Sequence, residues 1–196
     1  VERLLAGEPL AYITGQRAFY GLDFEVNQNV LIPRPETEIL VEEVIDWLEK
    51  HPSRRSMADI GTGSGAIAVT CADRFSDLKV TAIDISPEAL VIANKNAARN
   101  AVADKINFIQ NDMLIGIKQK FDIIAANLPY IPSETLDKLD VIKFEPRMAL
   151  DGGTTGTTLI SRLLEQSKEN IHPGGCLFLE IQYNQTNVTS LIEPYY

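Results

Sequence analysis

One glycine-rich segment constrains the fold of this 196-residue chain more than any other feature. Residues 59–66, Asp-Ile-Gly-Thr-Gly-Ser-Gly-Ala, lie between a strand-like run at 57–60 and a helix-like run at 66–74. Glycines at such a junction allow a tight turn and let a ligand approach the backbone closely. The segment therefore predicts a strand that passes into a helix around a ligand-binding turn.

The rest of the chain repeats this alternation of strand and helix patterns. The strand-like runs are 57–60, 79–85, 105–110, 121–126 and 176–181, and the helix-like runs are 66–74, 87–100 and 158–170. Such alternation predicts an α/β fold with a doubly wound, mostly parallel sheet that helices cover on both faces. Alternating apolar residues up to about residue 33 predict short strands and turns that form an entry β-hairpin, and residues 35–50 predict an amphipathic helix.

Composition excludes several classes of protein. The chain is 45% hydrophobic and 23% charged, as in an ordinary soluble globular protein. No apolar run approaches the roughly 20 residues that cross a bilayer. The 18 basic and 27 acidic residues give a net charge of -9, which disfavours binding along a nucleic-acid backbone. Two cysteines are too few for a disulfide framework or a zinc cluster. We expect a cytoplasmic monomer that binds no membrane and no nucleic acid.

Acidic residues at three predicted strand ends indicate a nucleotide-like cofactor. Asp84 follows the turn by about 20 residues, where a doubly wound sheet places a carboxylate that accepts hydrogen bonds from ribose hydroxyls. Alternatively, Asp84 only caps the turn at Ser86. The glycine pattern also satisfies the dinucleotide fingerprint of a dehydrogenase. Two features favour S-adenosylmethionine instead. Asp59 lies two residues before the first glycine, and at a third strand end Asp112 could accept from an adenine amino group while Met113 packs on the ring. The alternative for Asp112 is a strand-end residue that starts a turn.

The tetrapeptide Asn127-Leu128-Pro129-Tyr130 follows the run at 121–126, at the sheet edge where open α/β folds bind ligands. A planar amino group is a poor nucleophile because its lone pair is delocalised. The Asn127 side-chain oxygen and the Leu128 carbonyl could accept hydrogen bonds from the two N–H groups of such an amine and aim its lone pair at a methyl donor. Pro129 stiffens that carbonyl, and Tyr130 offers a flat face to a planar substrate. A structural turn with a core tyrosine is the alternative.

Several further motifs resemble those of the glutamine methyltransferases that modify peptide-chain release factors, the PrmC or HemK family. The resemblance covers nearly the whole chain, and its most specific motif is Ile-Pro-Arg-Pro-Glu-Thr-Glu at 32–38. The other matching segments are Gly15-Gln16, 19–21, 59–66, 127–132, 145–153, 173–175 and Glu180-Ile181. The resemblance implies a Rossmann-like class I methyltransferase that transfers a methyl group from S-adenosylmethionine to the glutamine amide nitrogen in the Gly-Gly-Gln loop of a class I release factor.

The resemblance also implies roles for individual residues. Asn127, Leu128, Pro129 and Tyr130 would carry catalysis. The cofactor would be bound by Asp59, Gly61, Thr62, Gly63, Ser64, Gly65, Asp84, Ile85, Asp112, Met113 and Asn127. The substrate would be bound by Asn127, Leu128, Pro129, Tyr130, Arg34 and Glu36. No metal ligand is expected, and His51 and His172, the latter in a helix-ending His-Pro-Gly-Gly run, are expected to be inert.

The chain departs from the family in three ways. Leu128 stands where the family usually has Pro. The resulting tetrapeptide Asn-Leu-Pro-Tyr resembles the version found in ribosomal RNA adenine dimethylases, but Leu provides the same backbone carbonyl as Pro. Residues 1–52 are expected to be a hairpin and helix that remain from the linker to a helical substrate-recognition domain. Residues 53–196 are expected to be the methyltransferase domain, truncated before a closing hairpin. An adenine amino-group methyltransferase acting on RNA or DNA and a non-enzymatic cofactor-binding protein remain the alternative functions.

Two segments admit two interpretations each. Arg34 and Glu36, flanked by prolines, predict either a buried ion pair that shapes the cofactor pocket or a solvated helix start. The segment 145–153 is either a loop that covers the substrate or an ordinary surface loop.

Overall fold

The computed structural model describes residues 1–183, 185 and 187–192. Its strands are β1 (Gln16–Phe19), β2 (Leu22–Glu25), β3 (Ser56–Ile60), β4 (Lys79–Asp84), β5 (Ile106–Gln110), β6 (Phe121–Ala126) and β7 (Ile171–Leu179). Its α-helices are α1 (Glu2–Leu5), α2 (Leu10–Thr14), α3 (Pro35–Lys50), α4 (Ala66–Arg74), α5 (Pro87–Arg99), α6 (Ser133–Leu136), α7 (Thr158–Asn170) and α8 (Asn187–Ile192). Each helix in this described part is too short or too polar to span a membrane.

The five later strands form one parallel sheet in the order β5-β4-β3-β6-β7. Every residue of β6 is buried, as expected for a central parallel strand covered on both faces. The chain winds to one side of β3 through β4 and β5, and to the other side through β6 and β7. This reversal opens a crevice at the carboxyl edge beside β3, which is where doubly wound sheets bind ligands. The predicted fold class is confirmed.

Helices cover both faces of this sheet. On one face, α3, α4 and α5 pack with the β1–β2 hairpin in a core that includes Phe19, Phe24 and Met57. On the other face, α7 packs Leu163 against Ile124 of β6. The regular apolar spacing of α3 explains its placement, because Val41, Val44 and Leu48 of one stripe are fully buried.

Asn96 of α5 ties the hairpin to the glycine-rich turn. Its side-chain oxygen accepts a hydrogen bond from Glu25 N at 2.7 Å, and its Nδ2 donates to Glu25 O and to Ser64 O at 3.0 and 2.8 Å. The side chain is fully buried, so these bonds satisfy polar atoms that have no access to water. The hairpin is therefore part of the support of the turn.

The predicted and observed elements differ at both ends of the chain. Short helices α1 and α2 stand where strands and turns were predicted, and residues 30–32 lie outside any strand. Gly15 ends α2 in a left-handed conformation at φ 73°, and β1 starts directly after it. Alternating apolar residues alone do not distinguish such single-turn helices from strands.

Strand β7 begins at Ile171, five residues before the predicted strand, and ends at Leu179 rather than Ile181. Ile171 pairs with Phe121 and Cys176 pairs with Ile123, so the intervening residues form a bulge. The His-Pro-Gly-Gly run therefore belongs to a strand bulge and does not end a helix. Gly175 fits here because a Cβ would lie 2.7 Å from Asp122 O. Tyr195 and Tyr196, where the chain was expected to stop short of a hairpin, lie outside the described residues.

Candidate active site

The glycine-rich turn connects β3 to α4 and is held by backbone hydrogen bonds. Gly61, Gly63 and Gly65 all have positive φ angles, of 71°, 55° and 82°. The N–H groups of Gly61 and Thr62 both donate to Ile83 O, at 2.8 and 3.0 Å. Since residues with side chains rarely adopt positive φ, the three glycines are what allow the chain to bend tightly here.

Asp59 lies beneath this turn and organises it from inside. Its Oδ2 accepts hydrogen bonds from Thr62 Oγ1 at 2.6 Å and from Ala68 N at 3.1 Å. Burial raises the pKa of this carboxyl to about 7, although these two hydrogen bonds act to lower it. Asp59 was predicted to contact the cofactor; its carboxylate is fully buried and is not among the residues that line the cavity.

Gly65 was also predicted to contact the cofactor, and it too is not among the residues that line the cavity. A Cβ at Gly65 would lie 3.2 Å from Ala93 Cβ on α5. The absence of a side chain therefore serves the close packing of α4 against α5.

Asp84 ends β4 and faces the turn. Its Oδ2 accepts from Gly63 N at 2.8 Å, and its Oδ1 accepts from Ser86 N at 2.9 Å. Desolvation by burial raises the pKa of Asp84, although these backbone bonds favour its charged form. Because each carboxylate oxygen has two acceptor positions, one position on each remains for a ligand with two hydroxyls.

A cavity of about 260 Å³ opens beside the turn at the carboxyl edge of the sheet. The predicted cofactor residues that line it are Gly61, Thr62, Gly63, Ser64, Asp84, Ile85, Asp112, Met113 and Asn127. Ile85 is 51% exposed and lines the cavity, where it leaves an apolar surface for a planar group. Arg162 of α7 donates to Asp112 Oδ2 at 2.6 Å, so one oxygen of that carboxylate is occupied by an ion pair.

The tetrapeptide follows β6, as predicted, and its first residue is anchored by α3. Asn127 Nδ2 donates to Thr37 Oγ1 at 3.0 Å, and Asn127 lines the cavity. Tyr130 Oη donates to Glu180 Oε1 at 3.5 Å. Burial raises the pKa of Tyr130, and the Glu180 carboxylate adds to this increase.

A second cavity of about 140 Å³ adjoins the first, and Tyr130 lines only this one. The residues shared by the two linings are Leu31, Arg34, Asn127, Leu128, Pro129 and Ala149. Asn127, Leu128 and Pro129 therefore form a common wall between two neighbouring spaces. The Leu128 side chain is buried, and its Cδ2 would lie 3.3 Å from a Cβ at Gly61.

The segment 145–153, called the covering loop below, packs against the tetrapeptide and the residue after it. Its role over the substrate stays a prediction. Ile131 N donates to Leu150 O at 3.1 Å, and Gly152 N donates to Ile131 O at 2.8 Å. A Cβ at Gly152 would lie 2.7 Å from Tyr130 Cα and 2.8 Å from Pro129 O. Only glycine permits this approach, so the loop is fitted to the tetrapeptide.

Arg34 forms its ion pair with Glu145 of this covering loop, and not with Glu36. The Arg34 Nη2 to Glu145 Oε1 distance is 2.5 Å, and the Glu145 side chain is only 2% exposed. Glu36 is exposed in the first turn of α3, outside both cavity linings. The two charged residues of the motif therefore have different environments: Arg34 lines both cavities, and Glu36 is exposed to solvent.

Comparison with known proteins identifies the family. A sequence profile for the methyltransferase small domain matches residues 36–143. A release factor glutamine methyltransferase of Nitratidesulfovibrio vulgaris is 41% identical over 100% of this chain and 67% of its own length. The chain belongs to the release factor glutamine methyltransferase family. Another relative of that name, from Koribacter versatilis, is 46% identical over 94% of this chain. The chain spans 66% of the length of that relative.

Solved structures of methyltransferases share the fold. A 16S rRNA methyltransferase of Thermus thermophilus has a TM-score of 0.68 at 17% identity, over 92% of this chain and 44% of its own. A methyltransferase of Pyrococcus furiosus has a TM-score of 0.62 at 23% identity, over 98% of this chain and 83% of its own. At these identities the likeness concerns the class I methyltransferase fold alone.

The sequence interpretation of this family member assigned no role to four polar residues at the site. Thr37, Glu145 and Glu180 lie inside the motifs that carry the resemblance, so the motifs contained a signal that could have found them. Arg162 lies in a helix-like run without a motif, and nothing in the sequence marked it as the partner of Asp112.

Proposed function

We propose that this domain transfers a methyl group from S-adenosylmethionine to the side-chain amide nitrogen of the glutamine in the Gly-Gly-Gln motif of a class I release factor. The single observation that carries the proposal is the common wall of the two cavities, in which Asn127 is anchored by Thr37. The names of the relatives support the choice of substrate.

The donor groups of the larger cavity fit the cofactor. Asp84 retains an acceptor position on each oxygen for the two ribose hydroxyls. Exposed Ile85 offers an apolar surface to the adenine ring, and the free oxygen of Asp112 can accept from the adenine amino group. Bound S-adenosylmethionine supplies an electrophilic methyl group on a sulfonium.

The residues of the wall present the substrate nitrogen. Because Asn127 Nδ2 is bonded to Thr37, the Asn127 Oδ1 is available to accept one N–H bond of a glutamine amide. The Leu128 carbonyl accepts the other N–H, and Tyr130 packs against the planar amide. Accepting hydrogen bonds from both N–H groups fixes the position of the nitrogen and aims its lone pair at the methyl donor, so that orientation takes the place of a strong base.

The covering loop and the chain's charge complete the proposal. Arg34 and Glu145 close the loop over the wall, which shields the amide from water. A net charge of -9 favours a protein substrate over a phosphate backbone. We further propose that the protein is a monomer and that it is cytoplasmic. The two unpaired cysteines, Cys71 and Cys176, support a reducing compartment.

A radiolabelled methyl-transfer assay tests this function. The domain is offered a release factor, the same factor with its motif glutamine changed to alanine, and an RNA duplex. We expect label on the release factor and none on its alanine variant. Label in RNA alone would instead identify an adenine methyltransferase, and tighter binding of NAD than of S-adenosylhomocysteine would indicate a dehydrogenase.

A further inference from the structure

Glu180 is a half-buried carboxylate directly after β7, and its backbone N–H donates to Ala126 O at 3.0 Å. This bond brings it beside the start of the tetrapeptide. Its Oε2 is shielded from solvent and has no hydrogen-bond partner among the described residues. A buried acceptor without a partner costs stability, which favours a role in the site over a role in folding.

Three polar side chains of the site surround this carboxylate. Tyr130 Oη donates to Glu180 Oε1 at 3.5 Å. Desolvation raises the pKa of Glu180, and hydrogen bonding from the neighbouring Thr37 hydroxyl, Tyr130 hydroxyl and Asn127 amide acts to lower it. The three side chains come from α3 and from the tetrapeptide. Glu180 therefore contacts both α3, through Thr37, and the tetrapeptide that α3 anchors.

The chemistry of a carboxylate sets the direction of these hydrogen bonds. A carboxylate can only accept, so in the contact between Thr37 and Glu180 the Thr37 hydroxyl is the hydrogen-bond donor. The Thr37 oxygen is then left as an acceptor, and it receives the Asn127 Nδ2–H at 3.0 Å. The amide group of Asn127 is thereby held with its nitrogen toward Thr37 and its oxygen toward the cavity.

We propose that Glu180 is a positioning residue that, through Thr37, fixes which face of the Asn127 amide is presented to the substrate. The inference rests on the proposed methyl transfer, because only a substrate with N–H bonds requires the oxygen of Asn127. If the amide were turned around, two NH₂ groups would face each other and the substrate nitrogen would lose an acceptor.

The substitution Glu180→Gln tests this directly while retaining the shape of the side chain. A glutamine can donate to the Thr37 oxygen, so that the Thr37 hydroxyl donates to Asn127 Oδ1 and the Asn127 amide turns around. We expect kcat to fall at least 30-fold while the dissociation constant of S-adenosylmethionine changes less than threefold. Glu43→Gln removes a carboxylate from the exposed face of α3 and serves as the matched control.

Thr37 variants test the intermediate link. Thr37→Val keeps the size of the side chain and removes the hydroxyl, so kcat should fall at least tenfold. Thr37→Ser keeps the hydroxyl and should recover most of that loss. In the background of Asn127→Ala, Glu180→Gln should cause no further loss, because the group that it positions is gone. A full additional loss would show that Glu180 acts independently of Asn127 and would overturn the inference.

An activity-independent measurement separates this inference from the proposed function. The side-chain NH₂ signals of Asn127, assigned by their absence in Asn127→Ala, should exchange with solvent at least tenfold faster in Glu180→Gln and Thr37→Val. Unchanged exchange in both variants would refute the positioning role. If the exchange rates change as expected but the wild-type domain leaves the release factor unlabelled, the proposed substrate fails while the positioning role stands.

Discussion

The two sides of the active-site wall are built in different ways. The cofactor side is made largely by one stretch, the turn after β3, whose backbone N–H groups bond to the next strand. The substrate side is made by side chains from α3, the covering loop and the end of β7, which meet at the tetrapeptide. The first side depends on local backbone geometry and the second on contacts between distant segments, so the two should respond differently to substitution.

The largest effect is expected at the wall itself. Asn127→Ala removes the acceptor that we propose orients the substrate nitrogen, and such positioning is commonly worth about 100-fold or more in rate. We expect a loss of that size in kcat at saturating cofactor, with cofactor affinity within threefold of wild type. A circular dichroism melt provides the folding control. Near-normal turnover would make Asn127 a structural turn residue and remove the distinction between the two sides.

The next effect tests the covering loop. Gly152→Ala places a methyl group 2.7 Å from Tyr130 Cα, and overpacking of this kind costs about 1–3 kcal/mol. We expect release-factor turnover to fall more than tenfold while calorimetric affinity for the cofactor persists. Gly116→Ala is the control, since it has a positive φ of 73° but open space around it. Equal turnover losses in both variants would mean that general destabilisation, and not the wall, is responsible.

A pH-dependent effect is expected on the cofactor side. Burial raises the pKa of Asp59 to about 7 in the folded protein, against 3.8 for an unperturbed aspartate. Its favourable contribution to stability is therefore complete below about pH 4 and is lost as the pH rises to about 7. We expect a loss on the order of 2 kcal/mol across this range, since each pKa unit is worth about 1.4 kcal/mol and relaxation of the site reduces the total.

Urea unfolding at several pH values, for wild type and Asp59→Asn, measures this contribution. The asparagine side chain of the variant cannot ionise, so the variant should become more stable relative to wild type as the pH rises from about 4 to about 7. Asp73→Asn, an exposed change in α4, is the control. A difference that stays constant with pH would contradict the shifted pKa.

A smaller effect is expected at the carboxylate of Asp84. If Asp84 accepts from both ribose hydroxyls as proposed, Asp84→Ala removes two contacts, each worth roughly 1.5–3 kcal/mol before water compensates. We expect at least a tenfold loss of S-adenosylmethionine affinity by calorimetry, or about 1.4 kcal/mol. Unchanged binding would remove Asp84 from the cofactor site.

The smallest effect is expected at Leu128. Leu128→Pro restores the usual family residue and keeps the backbone carbonyl, so turnover on the release factor should change less than about tenfold, or 1.4 kcal/mol. The loss of packing next to Gly61 should lower the melting temperature modestly. A switch of the methyl label from release factor to RNA would show that the side chain, and not the carbonyl, governs substrate choice.

The sequence predicted the cofactor side better than the substrate side for a physical reason. The turn, its flanking strand and helix, and Asp84 follow from local patterns of glycine, apolar spacing and strand ends. The Arg34 to Glu145 ion pair joins residues 111 positions apart, and no local pattern contains that pairing. Glu180 and Thr37 were visible only as members of motifs, because their roles arise when β7 and α3 meet beside β6.

Terminal elements were also predicted less well than the sheet. The central strands differ from their predicted bounds by one residue or less at each end, since buried parallel strands have continuous apolar runs. Helices α1 and α2 have only four and five residues, and too few turns to show a helical period.

Asn96 has a consequence for the order in which this protein folds. Its bonds join the hairpin to α5 across 71 positions of the chain, and α5 to the glycine-rich turn across 32. Closing loops of that length is slow compared with the local steps that form helices. Helical signal during refolding should therefore precede the ability to bind the proposed cofactor, with the turn reaching its final shape only after the hairpin has docked.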